Sequence, residues 1–258
     1  PVKVGRNREF VQCDGDVIGQ GGVEIEAELM ILFFETYNKL GIDAVIELNN
    51  NKILRGAFLQ AGFGEDDLQS LILSVDKLKK IGLKGVVDEI KGKGFDEKRA
   101  KKAIKLLEMG SFSDIREKAA NPELLEGLDE LERLKGLIEP YVKYRVNFSM
   151  SRGLNIYTGN IWEAYEAGGK ISSSIGSGGR YDRVIGDYSG SGDDVPAVGI
   201  SFGLVPILSC MDLQDDREGV TDLLIVPLSE EIVPVCFRAA SEFREKMNVE
   251  IYYGYKIK

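Results

Sequence analysis

Histidine is absent from all 258 residues, and this excludes a good deal of chemistry. Without imidazole side chains there is no serine–histidine hydrolase centre, no histidine general base and none of the usual catalytic zinc sites, which lean on histidine ligands. Cysteine is scarce. Cys13, Cys210 and Cys236 lie far apart, form no C-x-x-C pair and are odd in number, so reduced thiols and no zinc knuckle are expected. No apolar run reaches the roughly 18 residues of a membrane span; the longest candidate, Leu29 to Phe34, is flanked by Glu26, Glu28 and Glu35. No signal peptide is legible. The chain opens on Pro1-Val2-Lys3 with no initiator methionine, which reads as the interior of a longer, cytoplasmic protein.

What is present is ordinary in bulk. A hydrophobic content of 43% fits a globular protein with a real core. A net charge of −9 argues against non-specific nucleic-acid binding as the main task. The charge is uneven, however. Between Lys77 and Lys105 stand ten lysines and Arg99 against Asp88, Glu89, Asp96 and Glu97. Such a basic tract on an acidic body fits either a local phosphate-backbone contact or a solvated helical face.

Two stretches concentrate functional residue types: Arg152-Gly153-Leu154-Asn155-Ile156-Tyr157-Thr158-Gly159 and Ser177-Gly178-Gly179-Arg180-Tyr181-Asp182. Each joins a cation, a phenol and glycines. Arginine offers a planar fork of donors to carboxylate or phosphate, tyrosine a flat wall with one polar tip, and glycine lets the backbone approach a ligand closely. Together they suit a small anionic metabolite or a nucleotide. Arg152 has Asp182 and Glu163 as possible structural partners. Further on, Gly199-Ile200-Ser201-Phe202-Gly203 matches the G-x-S-x-G nucleophile pattern. Ser201 has no histidine to take its proton, so the small residues read instead as a place where a strand packs close to a ligand or to backbone.

Periodicity predicts a strand over Phe10–Ile18, with Gln12, Asp14 and Asp16 on one face. A helix over Val23–Leu40 follows, then a strand Ala44–Leu48 broken by Asn49-Asn50-Asn51. Helices are expected at Leu68–Ile81, Leu83–Ile90, Asp96–Met109, Ser113–Ala119 and Pro122–Leu137. Antiparallel strands are expected at Val142–Phe148, Asn160–Tyr165, Lys170–Ile175 and Val198–Phe202, with a hairpin turn at Gly168-Gly169. The tract Asp187–Asp194 reads as a mobile loop and Met211–Gly219 as a linker. A strand Thr221–Leu228, a helix Ile232–Met247 and a strand Val249–Tyr253 then open an α/β unit.

Taken together these motifs resemble the histidyl-tRNA synthetases, class II aminoacyl-tRNA synthetases whose R-G-L-D-Y-Y-T-G and G-G-R-Y-D appear here as R-G-L-N-I-Y-T-G and G-G-R-Y-D. The stretch Gly5-Arg6-Asn7-Arg8-Glu9-Phe10-Val11-Gln12-Cys13-Asp14-Gly15-Asp16 is similar to the second half of the family's motif 2, and Val198–Leu204 to its motif 3. The resemblance implies an α+β fold, with a class II antiparallel sheet flanked by helices. It implies a catalytic core over 1–51 and 140–212, a helical insertion over 52–139, and the start of an anticodon-binding domain over 219–258. The chain would be truncated at both ends and closest to the archaeal and eukaryotic members. The implied activity is ligation of L-histidine to tRNA(His) through histidyl-adenylate. ATP with Mg2+ is a substrate, and the enzyme is a cytoplasmic homodimer. The attacking group is the substrate's own carboxylate, so a chain without histidine loses nothing.

The resemblance also carries roles onto residues. Arg152 is the catalytic arginine on the substrate carboxylate and α-phosphate. Asp16 and Tyr157 read the imidazole, Gln12 holds the α-amino group and Tyr181 walls the pocket. Arg8, Phe10, Gly199 and Gly203 serve ATP, with Phe10 stacking on adenine. No metal is held by histidine or cysteine. Three departures stand out. Motif 1 and the first motif 2 arginine would precede Pro1. Leu204-Val205-Pro206 stands where the family's ATP-contacting arginine is usual, with Arg183 a nearby candidate cation, and Asn155 and Ile156 replace Asp and the first Tyr. These imply that the segment alone is inactive. They leave room for an alternative, a non-catalytic synthetase-like subunit of ATP phosphoribosyltransferase that senses histidine.

Overall fold

The computed structural model describes residues 10–152, 156–211 and 220–252. The chain divides into two compact units, Pro1–Asp212 and Leu213–Lys258.

In the first unit, β1 (Gln12–Ile18) leads through a turn to α1 (Val23–Lys39), β2 (Ala44–Asn50) and α2 (Asn51–Gln60). Helices α3 (Glu65–Val75), α4 (Leu78–Gly92), α5 (Glu97–Leu107), α6 (Phe112–Lys118) and α7 (Pro122–Ile138) follow. Then come β3 (Tyr144–Val146), β4 (Asn160–Glu166), β5 (Gly176–Arg180), α8 (Val184–Ser189), β6 (Ala197–Gly203) and α9 (Leu204–Cys210). Six strands make one sheet in the order β1-β6-β5-β4-β2-β3. Every pairing is antiparallel except β2–β3, which is parallel. The fold is mixed α+β.

Local chemistry explains the helix ends. Asn50, Asp96, Ser111 and Asn121 each accept a hydrogen bond from a backbone N–H in the first turn of α2, α5, α6 and α7. The expected helix Leu68–Ile81 is instead α3 plus the start of α4, and Gly82, at φ 67°, kinks α4 in mid-course. Helix α2 escaped the pattern reading because it begins directly at the end of β2. It packs against α7 with glycine at the crossing: a Cβ on Gly127 would lie 2.9 Å from the Ile53 nitrogen. The helices share one core with the sheet, in which Phe33, Tyr37, Ile46, Leu54, Leu131 and Trp162 are fully enclosed.

Three expectations are corrected. Lys170–Ile175 is not a strand; the pairing strand is β5, inside the glycine-rich motif itself. Within Asp187–Asp194 the first residues belong to α8, which ends on Gly190 in the left-handed region at φ 73°. The strand expected over Val142–Phe148 shortens to β3 and runs parallel to β2.

In the second unit β7 (Leu223–Ile225) pairs in parallel with β8 (Val249–Ile251), joined through a 3-10 turn (Glu230–Ile232) and α10 (Val233–Phe243). No helix among the described residues is long and apolar enough to cross a membrane.

Candidate active site

Successive side chains of a strand point to opposite faces of its sheet. The strand register therefore sorts the motifs. Gln12, Asp14 and Asp16 of β1 lie opposite Gly203, Ser201 and Gly199 of β6; Ser201 and Gly199 lie opposite Ser177 and Gly179 of β5. Ser177 in turn faces Glu163 of β4, which faces Glu47 of β2. All share one polar face. The other face carries Trp162, Gly178, Ile200 and Phe202 against α1.

On the polar face Asp16, Tyr181 and Tyr157 come together. The Tyr181 hydroxyl donates to Asp16 Oδ1. A Cβ on Gly199 would press into the Asp16 carboxylate and sit 3.2 Å from the Tyr181 ring, and one on Gly179 would lie 2.7 Å from the Tyr157 ring. Glycine is thus required at both positions by close approach, not by a turn. Burial, then the Asp16 carboxylate, then the neighbouring Tyr157 raise the Tyr181 phenol above its ordinary value, so it remains a donor at neutral pH. Asp16 Oδ2 makes no hydrogen bond among the described residues.

One row along, Gln12 Nε2 donates to Ser201 Oγ at 2.6 Å, which leaves the amide carbonyl of Gln12 as an acceptor. Arg152 lies beside the same row. One terminal nitrogen pairs with Glu163 and the other donates to Ser177 Oγ at 2.9 Å. Its Nε is buried without a partner among the described residues. A buried guanidinium N–H left unpaired is costly. Glu163 is therefore the structural partner of Arg152, while Asp182 pairs with Arg180 instead.

Several residues that hold the site were not singled out by sequence. Asn49 and Asn50 at the end of β2 and Asn51 at the start of α2 fasten the segments on either side of Arg152 and Tyr157. Asn49 Nδ2 donates to the carbonyls of Phe148 (3.0 Å) and Met150 (2.7 Å), ahead of Arg152. Asn51 Nδ2 donates to the Tyr157 carbonyl at 2.6 Å, and Asn50 Nδ2 to Asn160 Oδ1 at 2.9 Å. Asparagine in a strand end signals a break by propensity; its partners lie about a hundred residues away and leave no local trace.

Arg180, the cation of the second motif, does not face the site. It is buried on the core side, paired with Glu26 and with Asp182 (3.2 Å), and donates to the Gly22 carbonyl at 2.7 Å. Asn160 donates to the other Glu26 oxygen. Burial raises the Glu26 carboxyl in spite of Arg180. Asp182 also accepts from the Ala197 N–H at 2.9 Å and its own N–H donates to Thr158 Oγ1 at 3.1 Å, which braces the chain on either side of Tyr157 and Tyr181.

The remaining predicted residues are placed as follows. Phe10 is exposed just ahead of β1, and Gly203 caps the start of α9, where Leu204-Val205-Pro206 form its first turn. Arg183 is largely exposed, 4.0 Å from Asp194. Arg8, Gly153, Leu154 and Asn155 lie outside the described residues. Ser201 sits within β6, where its Oγ accepts from Gln12 Nε2.

The chain is similar to known proteins over most of its length. The family model for histidyl-tRNA synthetase matches residues 1–207. The chain is 36% identical over 258 residues to histidine–tRNA ligase 1 of Bacillus anthracis, covering 97% of this chain and 60% of that protein. It is 34% identical over 256 residues to histidine–tRNA ligase of Gloeobacter violaceus, covering 93% and 54%. It thus spans somewhat over half the length of these relatives. Both are bacterial, and give no support to the expected archaeal and eukaryotic likeness. Among solved structures, histidyl-tRNA synthetase from Nostoc sp. PCC 7120 superposes with a TM-score of 0.67 at 27% identity, over 97% of this chain and 62% of that one. An ATP phosphoribosyltransferase regulatory subunit/histidyl-tRNA synthetase from Bacillus halodurans shares the fold, with a TM-score of 0.66 at 15% identity over 96% of this chain and 64% of that one. The chain belongs to the histidyl-tRNA synthetase family.

Proposed function

We propose that this chain carries the class II amino-acid activation site of a histidine–tRNA ligase. The observation that carries the reading is the convergence of Asp16, Tyr157 and Tyr181 over Gly199 and Gly179, one row from an arginine with an unsatisfied donor. Asp16 Oδ2 and the Tyr157 hydroxyl receive the imidazole, a carboxylate and a phenol suited to a ring with two nitrogens. The Gln12 carbonyl takes the α-ammonium group. Arg152 takes the α-carboxylate and then the charge that grows on the α-phosphate.

In the first step a carboxylate oxygen of histidine attacks the α-phosphorus of ATP. The bond to the bridging oxygen breaks, and magnesium pyrophosphate leaves with the electron pair. In the second, the terminal ribose hydroxyl of tRNA(His) attacks the activated carbonyl and AMP leaves. No protein nucleophile is required; the protein supplies position and charge stabilisation. Phe10 and Arg8 attend the adenine end, and Gly203 admits backbone close to the nucleotide. The protein works as a cytoplasmic homodimer.

The lysine-rich helices are the tRNA side. Lys102, Lys105 and Lys118 line a cavity of about 460 Å3 floored by Ala57, Ala103 and Leu106. None of the three ammonium groups is paired among the described residues. Neutralising Lys101 and Lys102 is expected to weaken tRNA binding and flatten its salt dependence by about one unit of slope per lost phosphate contact, with histidine-dependent ATP–pyrophosphate exchange unchanged.

The deciding experiment is ATP–pyrophosphate exchange with each of the twenty amino acids on the full-length protein. Exchange with histidine alone is expected. A second reading, the histidine-sensing subunit, is favoured by Pro206 in the first turn of α9 where the family's arginine is usual. Histidine binding without exchange would establish it.

A further inference from the structure

Glu163 faces Glu47 directly across β4 and β2. Like charges in opposed positions, with Cβ atoms about 5 Å apart, destabilise a sheet. Both carboxylates are nearly enclosed, at 15% and 3% side-chain exposure. Glu47 is neutralised separately: Lys79 Nζ holds its Oε2 at 2.7 Å, Asn147 donates to Oε1 at 2.9 Å, and Arg145 lies 3.4 Å away. Glu163 therefore adds nothing to the solution at Glu47 and aggravates its charge. An apolar residue there would suit the sheet better.

What Glu163 does contact is Arg152. One carboxylate oxygen takes an Arg152 terminal nitrogen and the other accepts the Tyr165 hydroxyl, two residues along the same strand and face. Tyr165 is itself fixed, with Lys79 and Arg145 set 5.9 and 5.8 Å from its ring centroid. With Ser177 on the second terminal nitrogen, the guanidinium plane is pinned at two points and Nε alone is left over.

We infer that Glu163, oriented by Tyr165, is a positioning residue that fixes the guanidinium plane of Arg152 for the reacting anion. This rests on the reading of Arg152 given under Proposed function. The arrangement explains why a carboxylate is retained opposite another carboxylate: a rigid fork stabilises charge that develops in the reaction, whereas a mobile one must first be ordered.

The test uses the full-length protein with Glu163→Gln, Glu163→Asp and Tyr165→Phe. In histidine-dependent ATP–pyrophosphate exchange, Glu163→Gln is expected to lower kcat by roughly tenfold to a hundredfold, with the histidine KM changed by less than about threefold. Glu163→Asp recovers part of kcat and Tyr165→Phe shows a smaller loss. The melting temperature of Glu163→Gln stays within about 4 °C of the parent, because removing one of two facing charges offsets the lost ion pair. A merely structural Glu163 would lose activity and melting temperature together, and that outcome overturns the proposal, as does an unchanged kcat.

A second readout does not need turnover. The Arg152 Nε–Hε resonance, identified by its loss in Arg152→Lys, should be slow to exchange with solvent in the parent and faster by tenfold or more in Glu163→Gln. Unchanged exchange overturns the positioning role. A parent protein that shows this resonance behaviour but no histidine-dependent pyrophosphate exchange overturns only the proposed reaction.

Discussion

The two faces of the central sheet are built from the same strands, one residue out of step, and they handle polar groups in opposite ways. On the core face Arg180 is enclosed together with Glu26, Asn160, Asp182 and the Gly22 carbonyl, and its charge is fully occupied. The donors left over there are neutral, the Tyr37 hydroxyl and the Trp162 indole. On the polar face Asp16 and Gln12 each keep one side-chain oxygen unpaired among the described residues, and the unsatisfied donor belongs to a cation, Arg152. Two arginines from two similar-looking motifs thus have different surroundings: one is fully occupied within the fold, the other keeps an unpaired donor.

The largest effect expected from breaking this contrast is on the core side. Arg180→Met leaves the Glu26 carboxylate enclosed without its cation, and removing one partner of a buried pair costs about 3–5 kcal/mol. Urea unfolding measures it; an unchanged midpoint would mean that the network is dispensable. On the polar side, Arg152→Ala should lower histidine-dependent exchange by about a hundredfold or more. Kinetics on the folded fraction check this, and wild-type rates would remove Arg152 from the reaction. Asp16→Asn is milder. It keeps the acceptor for Tyr181 but not the charge facing the imidazole, so the histidine KM should rise about tenfold, and selectivity over a neutral isostere should narrow.

The smallest effect is away from both faces and serves as a control. Glu89 is held down to about 2, chiefly by its hydrogen bond from Lys77 and further by Lys93 and Ser74. The folded form therefore binds this proton less readily than the unfolded chain. The stabilisation is complete above the ordinary carboxylate range and fades as pH falls from about 4.5 towards 2. Glu89→Gln should lower the melting temperature by at most about 3 °C at pH 7, and the difference from the parent should vanish near pH 2. A deficit that persists in acid would rule out this ion pair as its source.

Much of this was legible in the chain. The strand carrying Gln12 and Asp16, helix α1 and helices α5 to α7 follow from apolar spacing and caps, because those signals lie within a few residues of one another. Strand β5 was not, since Gly176, Gly178 and Gly179 have no strand propensity. Glycine fits there because the Tyr37 hydroxyl, the Trp162 indole and the Tyr157 ring approach the strand from its two sides and leave no room for a Cβ. The asparagines Asn49 to Asn51 read as a break for a similar reason: their bonds to Phe148, Met150, Tyr157 and Asn160 span distant segments.

Residue order alone determined which chemistry was on offer. Lacking imidazole, the chain supplies arginine, phenol, carboxylate and glycine in fixed sequence, and alternation along β1 already set Gln12 and Asp16 on a common face. Tertiary structure decided which arginine pairs with Glu26 and which with Glu163, and that Glu163 rather than Asp182 takes Arg152. Local pattern fixes the face a side chain points from, through backbone geometry. Its partner is fixed by strand register and helix packing, which join residues that the chain keeps far apart.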